Sequence, residues 1–158
     1  MAITTAVGIS TTTVTTDQQA PLGFELVVPT ANQGEQVWVY VFNDDAASFV
    51  LGTIVARDAA TATYDAIIAP LNAPTIRVMG VAQHLIAAGS YGFVQKKGIA
   101  EVLADTGGIA INLPLVVGNA VVGRADTTGV AATTFAFGFS TEAVAATFAA
   151  TCWINCPG

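Results

Sequence analysis

The chain has 158 residues, 53% of them hydrophobic and only 10% charged, with a net charge of −6 and a pI near 4.3. That length fits one domain with a core of its own. The five basic residues (Arg57, Arg77, Lys96, Lys97 and Arg124) are too few and too scattered to track a phosphate backbone, so no nucleic-acid partner is expected.

In chain order, residues 2–20 are Thr-rich and nearly uncharged, and they read as an extended N-terminal arm that is ordered only if something pairs with it. Met1-Ala-Ile-Thr-Thr has neither the basic flank nor the apolar stretch of a secretory signal. After Pro21-Leu-Gly, residues 21–158 read as a single β domain, and Phe24-Glu-Leu-Val-Val28 is its first strand. Gln36-Val-Trp-Val-Tyr-Val-Phe-Asn43 is the clearest strand: Val37, Val39 and Val41 point to one face, and Trp38, Tyr40 and Phe42 to the other. Both faces are apolar, so the aromatic one must meet a second sheet or a neighbouring subunit. Asn43-Asp-Asp45 turns the chain, and Ser48 to Arg57 reads as the next strand, broken at Gly52 and forming a hairpin with the one before it. Asp58 to Ile68 suits either a short helix or a strand.

Beyond the prolines at 70 and 74, Thr75 to Ala82 reads as strand, followed by Tyr91 to Lys96 after the Ala88-Gly-Ser turn. Ile99 to Asp105 is read as strand because its neighbours are, and Thr106-Gly-Gly108 as a tight turn using positive φ. Asn119-Ala-Val-Val-Gly123, Phe135 to Phe139 and Cys152 to Cys156 are further strands, and Ser140 to Thr151 is a loop or one short helix. Short apolar runs separated by Gly and Pro define the expected class: all-β, a compact antiparallel sandwich or small barrel with an extended N-terminal arm and at most one or two short helices. No apolar run approaches the ~18 residues of a membrane span, so no membrane is expected.

Residues able to carry chemistry are sparse. The sequence lacks the phosphate-loop, dinucleotide, nucleophile-elbow, zincin and EF-hand patterns, so no enzyme activity, cofactor or metal is expected. The single histidine, His84, sits between apolar residues and is expected to bond locally or face solvent. Asp44-Asp45 reads as a solvated turn, because adjacent carboxylates diverge. Lys96-Lys97 is read as an edge-strand solubility device or a dock for an acidic partner. Cys152 and Cys156, four residues apart on one strand, would hold their Cα atoms roughly 13 Å apart at a rise of about 3.3 Å per residue. A bridge needs less than about 7 Å, so free, buried thiols are favoured over a disulfide.

Gly80-Val-Ala82, Ile86-Ala-Ala-Gly89, Tyr91-Gly-Phe-Val-Gln95, Gly98, the turn at Asp105-Thr-Gly-Gly108, Leu113 with Leu115, and Phe137-Gly138 together resemble the capsid decoration (cement) proteins of tailed phages. Residues 1–75 take no part in the likeness. It implies a non-enzymatic structural virion protein, made in the host cytoplasm, that binds the outer capsid surface as a dimer or trimer. Its partners would be the major capsid protein and itself, and it would stabilise contacts between capsomers. Ile3, Val7, Ile9 and Val14 of the arm, the aromatic face of Trp38, Tyr40 and Phe42, the Lys96/Lys97 pair and Trp153 are the residues expected at such interfaces. The rival for the two tryptophans is core packing. The rival for the whole chain is a carbohydrate-binding or adhesin-like β module.

Overall fold

The computed structural model describes residues 10–58, 63–127 and 136–158, and these form ten strands in one sheet. The strands are β1 (Glu25–Thr30), β2 (Gly34–Asn43), β3 (Ile54–Arg57), β4 (Asp65–Ile68), β5 (Val78–Val81), β6 (Tyr91–Leu103), β7 (Pro114–Val117), β8 (Ala125–Thr127), β9 (Gly138–Ser140) and β10 (Ala149–Asn155). Every pairing is antiparallel except β2 with β4. The expected all-β class is observed. The one helical element among the described residues is a 3-10 turn at Thr75–Arg77.

The pairings β2–β4, β4–β3, β3–β5, β5–β6 and β6–β2 return to their starting strand, so these five strands close on themselves as a small barrel. Its interior is one core cluster drawing on each of the five: Val39 and Val41, Val55, Ala66, Met79 and Val94. Phe49 and Ile86, joined by paired main-chain bonds, belong to the same core. Fully buried aliphatic side chains of this kind each stabilise the fold by roughly 1.5–3 kcal/mol.

β6 has 13 residues and joins the barrel to the rest of the sheet. Its first half pairs with β2, and its second half with β10. From there β10, β9, β7 and β8 extend as a flanking sheet. The largest core lies between that sheet and the outer faces of β3 and β5. It is built from Ile54, Val78, Val102, Leu115, Phe137 and Ile154 among others. β6 runs through Gly98, whose φ is +108°, and a Cβ there would sit 2.8 Å from the carbonyl oxygen of Glu35. The strand read as Tyr91 to Lys96 thus continues through Gly98, a crossing point where another backbone comes too close for a side chain.

The aromatic face of β2 is covered by its own chain. Trp38 and Tyr40 are 7% and 1% exposed, and they pack with Phe93, Leu26 and Ala20 under Leu22 and Phe24. The second layer needed by that face comes from β1 and the segment leading into it.

Three sequence expectations change, and one left open is decided. Ser48 to Arg57 forms no hairpin with β2: Gly52 turns the chain at φ +82°, and β3 pairs with β4 and β5 instead. Thr75 to Arg77 is a 3-10 turn leading into β5. Asn119 to Gly123 is a turn whose Ala120 amide is held by Asp105 Oδ2 at 2.9 Å, and the strand follows it at Ala125. The ambiguous Asp58 to Ile68 ends as β4, with residues 59–62 outside the described set.

Candidate functional site

Of the interface residues expected from sequence, Ile3, Val7 and Ile9 lie outside the described residues. Val14 packs against the barrel core, and beside it Thr15 exchanges two main-chain bonds with Tyr91, at 3.1 and 2.8 Å. The arm from residue 10 onward thus adds its β bridge to the edge of its own sheet. The Gln19 amide donates to the Tyr40 hydroxyl at 3.1 Å, tying the same segment over the aromatic face. Phe42 is half-buried, its ring 4.8 Å from that of Tyr91. Trp38 and Tyr40 are core residues of this chain rather than a free assembly face.

Lys96 and Lys97 sit inside β6 and not on an edge strand: Lys97 pairs with Val37 on one side and Asn155 on the other, and Lys96 is the residue skipped where the β2–β6 register shifts. Lys96 Nζ meets Glu25 Oε1 at 2.7 Å. Asp45 is not simply solvated: its carboxylate accepts from the Ala47 amide at 3.1 Å and the Ile68 amide at 2.9 Å, joining the turn after β2 to β4. Among the described residues neither ring nitrogen of His84 reaches solvent or a hydrogen-bond partner, contrary to the expectation of a locally bonded or solvent-facing ring. Burial lowers its pKa below the ordinary 6.5, favouring the neutral ring. Cys152 and Cys156 are buried free thiols on the core side of β10. Burial, then the nearby Glu101 carboxylate, pushes the Cys152 thiol up to about 12, and burial raises Cys156 as well. Such thiols stay protonated and are poor nucleophiles.

Trp153, like Phe42, keeps part of its ring at the surface. It lies half-buried on the outer face of the flanking sheet, its ring stacked on Phe139 with centroids 5.5 Å apart and planes 25° from parallel. Phe139 itself is 44% exposed. Sequence order hides this pair, because the two residues meet only through the β9–β10 register.

Beside the pair, a cleft of about 380 Å³ opens where β2, β6 and β10 come together. Its polar lining comes from Gln33, Gln36, Gln83, Gln95, Glu101 and Thr151. Trp38 and Ile99 supply its apolar side. The Gln83 side chain acts as a short stretch of strand: its amide nitrogen donates to the Glu101 carbonyl and its oxygen accepts from the Glu101 amide, both at 3.0 Å. Gln95, 1% exposed, donates to the carbonyls of Ile99 at 2.8 Å and Lys97 at 3.2 Å. Thr151 Oγ1 donates to Glu101 Oε1 at 3.1 Å. These bonds fix the polar groups in place before any ligand arrives. Among the described residues no cluster of three or more ligating side chains is placed to hold a metal, and no helix is long and apolar enough to cross a membrane.

No protein-family model matches the chain, and no curated protein matches it in sequence. Among solved structures it is similar to the head fiber gp8.5 N base of bacteriophage phi29, with 18% identity and a TM-score of 0.54 over 75% of this chain and 94% of that one. The chain therefore shares the fold of that head fiber base, with little sequence in common.

Proposed function

We propose that this protein is a structural component of a phage virion, bound as an oligomer to the outer surface of an icosahedral capsid, where it strengthens contacts between capsomers. The observation that carries the reading is the fold shared with the phi29 head fiber base across 94% of that chain. The composition fits it: with 10% of residues charged, much of the surface can be buried against another chain without desolvating a charge. The role is mechanical. Each bound copy adds contact area that a pressurised shell must break in order to open, and no reaction is required.

The major capsid protein and sister copies are the proposed partners. Residues 2–9, which carry Ile3, Val7 and Ile9, are the proposed contact segment, because the arm from residue 10 onward is already committed to its own core. The test is the solution mass of the purified chain by light scattering, together with co-sedimentation with capsid-sized particles from an infected culture. A dimer or trimer that travels with capsids is expected, and removal of residues 2–9 should release it without lowering its melting temperature. A monomer that never sediments with capsids would reject the proposal.

A further inference from the structure

The outer face of the flanking sheet carries a single-file apolar strip. Pro114 of β7 lies opposite Phe139 of β9, Phe139 opposite Trp153 of β10, and Trp153 opposite Ile99 of β6. At a strand spacing of about 4.8 Å, four residues in register across four strands span roughly 14 Å. The strip is one residue wide. Thr151 and Glu101 border it on one side, Asn155 and Lys97 on the other. The apolar centre of a protein–protein interface is broader than this and has its polar groups at the rim. Here polar side chains flank the Trp153 and Ile99 end of the row on both sides.

The strip leads at Ile99 into the cleft, whose lining has one charged group, Glu101, and no basic one. Gln36 commits its side-chain nitrogen to the Ile99 carbonyl, which leaves its side-chain oxygen without a donor among the described residues, whereas Gln95 is buried and closed to a ligand. Gln33 is exposed at the mouth. The surface therefore offers two flat ring faces for apolar C–H groups, and next to them fixed acceptors for hydroxyl protons. A carbohydrate chain presents the complement of both: its ring faces are apolar and its rim is hydroxyl. The absence of basic groups from the cleft disfavours anionic ligands.

We propose that this strip and cleft form a binding site for a neutral glycan, with sugar rings stacked on Trp153 and Phe139 and hydroxyls bonded by Glu101, Thr151 and Gln36. The site stands apart from the virion proposal, since it rests on side chains of the chain alone.

The test uses the full chain, a panel of immobilised neutral glycans, and tryptophan fluorescence titrated with cello-, chito- and manno-hexaose. Saturable binding that perturbs the fluorescence is expected with at least one class. Phe139→Ala removes an exposed ring and should weaken that binding roughly threefold to tenfold, the worth of one aromatic contact. Glu101→Gln should weaken it comparably by losing the charged acceptor. Phe148→Ala removes a ring that is 64% exposed elsewhere and should change nothing. Melting temperatures of the three variants separate lost binding from lost folding. No saturable binding to any panel member would overturn the proposal, as would binding that Phe139→Ala leaves intact. So would a Phe139→Ala variant that loses self-association instead, which would assign the strip to a sister copy.

Discussion

Asn43 holds together the end of β2, and its replacement is the sharpest test of how the barrel mouth is built. The residue is fully buried. Its side-chain nitrogen donates to the carbonyls of Ile86 at 3.0 Å and Ala47 at 3.1 Å, and its side-chain oxygen accepts from the Asp45 amide at 3.0 Å. Its main chain donates to Ser90 and accepts from Gly89, each at 2.9 Å. Four segments of the chain thus meet at one amide. Asn43→Asp keeps the shape and removes both donors. The Ile86 carbonyl retains its bond from the Phe49 amide, so it is not orphaned. The cost is then two bonds at about 1 kcal/mol each, plus at least about 1 kcal/mol for a carboxylate held away from water and facing carbonyl oxygens. A loss of about 3 kcal/mol at neutral pH follows, a large share of the roughly 5–15 kcal/mol that holds such a domain together.

The loss should depend on pH. Burial and the facing carbonyls raise the pKa of the new carboxyl above its unfolded value near 3.9. The variant should therefore recover stability as pH falls through that raised value, since the protonated group regains one donor. Urea unfolding followed by tryptophan fluorescence at several pH values measures both effects, and the slope with denaturant should match the parent. Asn43→Leu should cost a similar amount with no added pH dependence. If Asn43→Asp stays within about 1 kcal/mol of the parent and runs parallel to it across pH, the account of this junction is wrong.

Three further outcomes are expected. Gly98→Ala should destabilise by more than the ~1 kcal/mol of a positive φ alone, because its Cβ meets the Glu35 carbonyl at 2.8 Å; Gly89→Ala, with φ +69° and nothing within 4 Å, should cost about that strain only, and equal melting temperatures for the two would contradict this. With its pKa lowered by burial, His84 contributes stability that is fully present above 6.5 and is lost as pH falls through the folded value; His84→Gln should flatten that part of the stability profile, and an unchanged profile would show that the ring is not desolvated. Cys152, held near 12, and Cys156, raised as well, should resist iodoacetamide at mildly alkaline pH until urea unfolds the chain; mass spectrometry showing rapid labelling of the folded protein would refute their burial.

Local chemistry made part of this protein readable in advance. The alternation in Gln36 to Asn43 placed Val39 and Val41 on one face and Trp38 and Tyr40 on the other, and the two sets do enter different cores. The glycine pair after Thr106 turned where positive φ was expected, with Gly108 at +77°. Those features depend on a side chain and its immediate neighbours, as a period-two pattern does. The tertiary structure alone decided what covers each face. Barrel closure rests on Phe42 and Asn43 lying parallel to Asp65 and Ala66, and on Val81 meeting Gln95, pairings between residues far apart in the chain that no local pattern specifies. The apolar run at Asn119 to Gly123 looked like strand because hydrophobicity cannot distinguish a ladder bond from the Asp105 carboxylate that holds its turn. Phe139 and Trp153, fourteen positions apart in sequence, became a stacked pair only through register, and with them appeared the one surface to which a ligand chemistry is assigned.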